Sequence, residues 1–208
     1  MDCGELWGVS HRRQSKQKGV FSMLCICEDT HVYCAVLRGN TEPGIFENET
    51  QKKWMLDVVG TVSDRMKLSV LSYCILDNEL HLMVSGNSYE QMKDAVKLIR
   101  ELYQKMFFKK VDFMRKKSVW RRVVIQEIPV EWKAIRKCVQ MHMMPVKQNL
   151  VARPEDYWWC SYNDYLGRKW MPVTETTIVL SWVDGNRRKA LKVFRMQHQH
   201  PKVKKQGS

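Results

Sequence analysis

No stretch of the 208-residue chain approaches the run of roughly 18 apolar residues that a membrane span requires. The opening segment, MDCGELWGVSHRRQSKQKG, holds no apolar core of the kind a secretory signal needs. The cysteines form no CxxC pair. Seven are present (Cys3, Cys25, Cys27, Cys34, Cys74, Cys138 and Cys160), an odd count at irregular spacing. That arithmetic excludes a disulfide framework and a zinc knuckle. Most of them sit in apolar runs such as YCAVL and SYCIL, where a thiol is a small buried hydrophobe. No internal repeat is visible. These absences predict a soluble, cytoplasmic protein with no membrane partner.

Acidic residues are scarce in two places. Lys105 to Arg122 carries eight basic residues (Lys105, Lys109, Lys110, Arg115, Lys116, Lys117, Arg121 and Arg122) against Asp112 alone. Val183 to Ser208 carries Arg187, Arg188, Lys189, Lys192, Arg195, Lys202, Lys204 and Lys205 against Asp184. Each segment is +7, and the whole chain is +13, so the rest is close to neutral. A neutral body with two basic segments predicts a polyanion partner, because each cation near a phosphate releases a condensed counterion. Apolar residues make up 44% of the chain, enough for a sizeable core.

The periodicities alternate. His31 to Leu37 is rich in strand formers and ends at the turn signal Arg38-Gly39-Asn40. Glu47 to Met66 has helical spacing at Trp54, Val58, Val59 and Val62, with Asn48 as N-cap. Leu68 to Leu76 and Leu80 to Val84 predict a hairpin about Asp77-Asn78. Ser88 to Lys110 carries one apolar stripe, with Ser88 and Gln91 placed as a capping box. Val119 to Ile128 predicts a strand, at a sheet edge because Pro129 follows. Glu131 to Met144 predicts a third helix stopped by Pro145, and Val183 to Arg195 a C-terminal one. The order β-α-β-β-α-β-α predicts an α+β, ferredoxin-like four-stranded antiparallel sheet with helices on one face, plus extra C-terminal helices. The division expected is a flexible basic arm over 1–18, a domain over 19–170, and a basic extension over 171–208 with a disordered tail.

Within the hairpin, Glu79 and His81 lie two apart on a strand, so alternation sends both to one face. A carboxylate and an imidazole there could share a divalent metal, Mg or Mn; equally, they could be a surface pair. Of Trp158 and Trp159, one is expected in the core, and the other is open to stacking an unpaired base. Tyr103 falls on an apolar stripe and reads as core. His142 reads as a packed or exposed helix residue, and His198-x-His200 lacks further ligands for a metal.

Four ordered segments carry a resemblance. YCILDNELHLMV is similar to the YCIMDNHVHLL segment of the REP-associated tyrosine transposases, bacterial single-tyrosine HUH enzymes. HVYCAVLRGNTEPGIF is similar to their YHVIQRGNNREPIF, MMPVKQNLV to their LNPVKAGLV, and PEDYWWCSYNDY to their PEDYxWSSYxxY. The resemblance spans about residues 31–195. It implies a metal-binding His-x-His pair, a helix-borne tyrosine that attacks the DNA phosphate, and a polar residue one turn later that completes the metal site. This chain departs at those positions: the first histidine is Glu79, the tyrosine position is Gln140, and the polar position is Met144; only His81 is kept. An amide is no nucleophile, and a thioether is a poor ligand for a hard cation.

The reading that follows is a DNA-binding transposase-like protein for hairpin or single-stranded DNA that lacks strand cleavage. Its expected phosphate contacts are Lys109, Lys110, Arg115, Lys116, Lys117, Arg121, Arg122, Arg187, Arg188 and Lys192. The alternatives are a metal-dependent nicking enzyme using Glu79 and His81 with a different nucleophile, and an interaction module for RNA or an acidic protein. A bacterial nucleoid association and a homodimer are further implications of the likeness.

Overall fold

The computed structural model describes residues 31–40, 44–111, 118–129, 132–169 and 172–199. The basic arm over 1–18, Arg115, Lys116, Lys117, His200 and the final residues lie outside them.

Four strands form one antiparallel sheet: β1 (His31–Gly39), β2 (Ser69–Ile75), β3 (Glu79–Gly86) and β4 (Trp120–Ile128), in the order β2-β3-β1-β4. β4 is an edge strand, as Pro129 requires. Helices α1 (Glu49–Met66) and α2 (Tyr89–Val111) are the two crossovers and pack on one face. α1 starts where its cap chemistry dictates: the Asn48 side chain accepts from Gln51 N–H, and the Gln51 side chain accepts from Asn48 N–H. It ends at Lys67, which adopts the left-handed conformation. For α2, Ser88 Oγ accepts from Gln91 N–H at 3.1 Å, while the Gln91 side chain accepts from Asn87 N–H. The α2 stripe (Met92, Val96, Ile99, Tyr103) meets Leu37, Leu80, Leu82 and Val84 from the sheet, all buried.

The other face is covered by α3 (Trp132–His142), a single turn α4 (Met144–Lys147), a 3-10 turn (Pro154–Asp156), a short α5 (Tyr162–Tyr165), α6 (Thr176–Val183) and α7 (Arg187–His198). Two expectations are corrected here. The third helix ends at His142, because Pro145 opens a separate turn. The helix expected over Val183–Arg195 begins instead at Arg187 and runs to His198, and a further helix, α6, precedes it. Asp184-Gly185-Asn186 separates the two, and the Asn186 side chain caps α7 by accepting from Arg188 and Lys189 N–H. α6 and α7 supply Val179, Leu180, Ala190 and Phe194 to the core. No described helix is long and apolar enough to cross a membrane.

The β2 edge is not bare. Ile75 N–H donates to Trp159 C=O, Ser161 N–H donates to Tyr73 C=O, and Cys74 and Cys160, both free thiols, stand opposite each other in an antiparallel backbone pairing. The PEDYWWCSYNDY segment thus lies along the edge as a partial fifth strand. Its Tyr157 hydroxyl donates to Ile75 C=O and its Tyr165 hydroxyl to Leu71 C=O.

Candidate nucleic-acid interface

The second sheet face is only half covered. α3 and α6 lie over β2, leaving the Arg38 end of β1 and the middle of β4 open among the described residues. Side chains directly opposite in neighbouring strands share a face. Glu79 of β3 stands opposite Arg38 of β1, and Arg38 stands opposite Arg122 of β4. The next level along the strands holds His81, Val36 and Val124. At the Arg38 level the β1–β4 register shifts: Arg38 pairs with Arg122 and Gly39 with Trp120, so Arg121 is the extra residue of a bulge. Gly39 is needed for this arrangement. A Cβ there would come within 1.9 Å of Asn78 Oδ1 in the β2–β3 turn. Any larger residue would have to displace the Asn78 and Ile45 side chains for the end of β1 to pass that turn and bring Arg38 level with Glu79.

Glu79 and His81 do share a face, as alternation requires, and each is engaged with the other. His81 Nε2 lies 2.7 Å from Glu79 Oε2, while Arg38 Nε lies 2.8 Å from Glu79 Oε1. Burial holds the His81 pKa below its ordinary value, more strongly than the Glu79 carboxylate raises it. His81 is therefore neutral at neutral pH and donates Nε2–H to the carboxylate. Lys137, on the edge of α3, is a nearby cation that also pulls the His81 pKa down and partly offsets the burial that pushes the Cys34 thiol up to about 12. Gln140 is exposed one turn beyond Lys137, and Met144 is half-buried a turn further, packed against the core.

This donor set does not suit a divalent ion. Both Glu79 oxygens and the Nε2 of His81 are engaged within the Arg38–Glu79–His81 chain, which leaves Nδ1 of His81 as the one nitrogen lone pair of the group. Arg122 stands beside Arg38, Lys137 lies near His81, and the thioether of Met144 is a soft donor. Among the described residues no three His, Cys, Asp or Glu side chains cluster so as to hold a metal.

Of the expected phosphate contacts, Lys109, Arg121, Arg122, Arg187, Arg188 and Lys192 are exposed on described elements. They do not form one patch. Lys109 ends α2, Arg121 and Arg122 lie on the edge strand, and the others belong to α7. On α7, Arg188, Lys192 and Arg195 recur at i, i+4 and i+7, turned away from the buried Ala190, Phe194 and His198. Trp159 is the tryptophan that packs against the core. Trp158 is 52% exposed, and Lys169 Nζ lies 5.6 Å from its ring centroid.

Sequence reasoning missed a buried polar chain beneath this face. His198 Nδ1 lies 2.7 Å from Phe194 C=O, which can only accept, so Nδ1 carries the proton. His198 Nε2 then accepts from His142 Nδ1–H at 2.9 Å. His142 Nε2 in turn accepts from the Ser161 hydroxyl at 2.8 Å, with Ser72 Oγ at 3.2 Å. Ser161 Oγ accepts Tyr73 N–H. The chain is satisfied with both imidazoles neutral. Burial drives the His142 pKa well down, with His198 and Lys169 adding to it, and burial takes His198 from 6.5 to about 4. One signal was available: Ile135, Cys138 and His142 lie on the buried stripe of α3.

Comparison with known proteins gives the fold a relation. A family model described as "Transposase IS200 like" matches residues 28–127, which hold α1, α2 and all of the sheet but Ile128. The structure of a REP-associated tyrosine transposase bound to a REP hairpin superposes with a TM-score of 0.55 at 13% identity, covering 79% of this chain and 90% of that one. A putative transposase from Deinococcus radiodurans R1 aligns at 8% identity with a TM-score of 0.40, over 62% of this chain and 94% of the other. No curated protein matches the sequence. Over residues 28–127 the chain matches the IS200-like transposase family model, and its fold is that of the REP-associated tyrosine transposase.

Proposed function

We propose that this protein binds hairpin or single-stranded DNA and does not cut it by the tyrosine chemistry its relatives' motifs imply. The observation that carries the binding half is uncompensated charge. Arg122, Arg187, Arg188 and Lys192 are exposed and have no ion pair among the described residues, and Asp184 is the one acid in the sequence from Val183 to Ser208. Such cations gain more from a phosphate backbone than from scattered counterions. The relative bound to a REP hairpin supports a hairpin as the DNA form. The non-cleaving half rests on Gln140, whose amide nitrogen has no available lone pair for attack on phosphorus at neutral pH.

Gel shift of the full chain against hairpin oligonucleotides tests the first half. Affinity is expected to fall steeply between 50 and 200 mM salt, by about 10-fold or more per few phosphate contacts. A flat salt response overturns phosphate-dominated binding, and equal affinity for an RNA duplex redirects the reading to RNA. Incubation with labelled single-stranded DNA and Mn²⁺ tests the second half. Neither cut product nor covalent adduct is expected. Cutting that disappears in His81→Ala establishes the metal-dependent nicking alternative instead.

A further inference from the structure

We propose that the open half of the second sheet face is a metal-independent seat for a DNA phosphate, formed by Arg38, Arg122 and Lys137 with Glu79 as its built-in counter-charge. The proposal deepens the DNA-binding reading above and rests on it. It starts from register. Glu79, Arg38 and Arg122 stand side by side on three adjoining strands, facing the same way. Neighbouring strands are about 4.8 Å apart, so the two guanidiniums are within reach of one phosphate group. Arg38 spends its Nε on Glu79 and, with five N–H donors in all, keeps others for a second acceptor. Glu79 fixes the plane of that guanidinium, and His81 fixes Glu79 in turn through the 2.7 Å contact. Such preorganisation lowers the ordering cost of binding.

The charge balance sets the sign of the ligand. Arg38 is paired with the one carboxylate, Arg122 stands on the neighbouring strand, Lys137 lies near His81, and both oxygens of that carboxylate are already bonded. Arg122 and Lys137 have no ion-pair partner among the described residues. An incoming cation would meet net repulsion and little more than the single Nδ1 lone pair of His81, whereas an oxyanion meets surplus positive charge. Val36 and Val124 lie beside the seat, half-buried and exposed respectively, and their apolar surface strengthens hydrogen bonds made there. Nothing among the described residues covers the spot. In this chain, then, the guanidinium of Arg38 supplies at that spot the positive charge on which phosphate binding depends.

The test uses the full chain and a fluorescent hairpin carrying a single-stranded flank. Affinity is expected to be the same in EDTA as in Mg²⁺. Arg38→Gln and Arg122→Gln are each expected to weaken binding about tenfold and to lower the salt slope by about one. Glu79→Gln is expected to tighten binding by about fivefold, because it removes the only negative charge of the seat. Loss of binding in EDTA, or weaker binding of Glu79→Gln, overturns the proposal, since either outcome is what a metal held by Glu79 would give. Arg122 is exposed on an edge strand, so Arg122→Gln carries the test if Arg38→Gln fails to fold. If the wild-type chain binds no hairpin at all, the DNA-binding reading fails by itself. Inorganic phosphate then tests the seat directly: saturable amide shifts at Val36 and Val124 are expected in an NMR titration, and unshifted amides overturn it.

Discussion

The two faces of the sheet solve the burial problem in different ways. Under α1 and α2 the face is dry: Leu37, Leu80, Leu82 and Val84 meet an apolar helix stripe, and the Tyr103 hydroxyl finds Ile45 C=O. Under α3, α6 and α7 the face buries two imidazoles and two serine hydroxyls, and then stops halfway across the sheet. A dry face tolerates no polar orphan, and this one is covered over β3 and β1, with Val123 and Ile125 of β4 half-buried at its margin. A face stitched by directed hydrogen bonds holds its helices at defined points and can leave neighbouring strands bare. The contrast shows where a ligand can enter: beyond the last helix that the histidine chain anchors.

The comparison can be broken from either side. Leu37 is fully buried at the centre of the dry face. Leu37→Ala is expected to cost about 2–5 kcal/mol in urea unfolding, through lost transfer energy and a residual cavity. Acid is expected to act on the other face. His198 has its pKa depressed from 6.5 to about 4, and that of His142 is also depressed. The unfolded chain therefore binds more protons between those values, so stability is full above pH 6.5 and is lost as pH falls toward 4. The His198 share is on the order of 3 kcal/mol, and thermal melts across that window should show it. His198→Gln, which does not titrate, should flatten the profile; an unchanged slope would put the acid sensitivity elsewhere. Val124 is 42% exposed on the open half, and Val124→Ala is expected to move stability by no more than about 0.5 kcal/mol. A large loss there would mean that this half is covered after all.

How far the sequence alone could go follows the range of each interaction. The α2 stripe, the Asn48 cap, the hairpin and the edge position of β4 are local signals, and all are present as expected. The shared face of Glu79 and His81 also follows from alternation within one strand. The Arg38–Glu79 contact does not, because it depends on a β1–β3 register between residues 41 apart. The His142–His198 contact spans 56 residues and joins two helices whose mutual approach no periodicity encodes. The start of α7 was placed too early, at Val183, because Val183 and Ala190 keep apolar spacing across the Asp184-Gly185-Asn186 break. Gln140 was legible as a chemical departure only through the likeness of its surroundings, since an exposed glutamine on a helix carries no signal of its own.

The strip of backbone that closes the β2 edge also bears on how the molecule is made. Cys74 must wait for Cys160, which emerges from the ribosome 86 residues later. Until then the outermost strand of a nearly finished sheet offers its amides and carbonyls to any passing chain. A fragment ending before Trp159 should thus clump during expression even though all four strands are present, and the aromatic run serves as the clasp that ends this vulnerable interval.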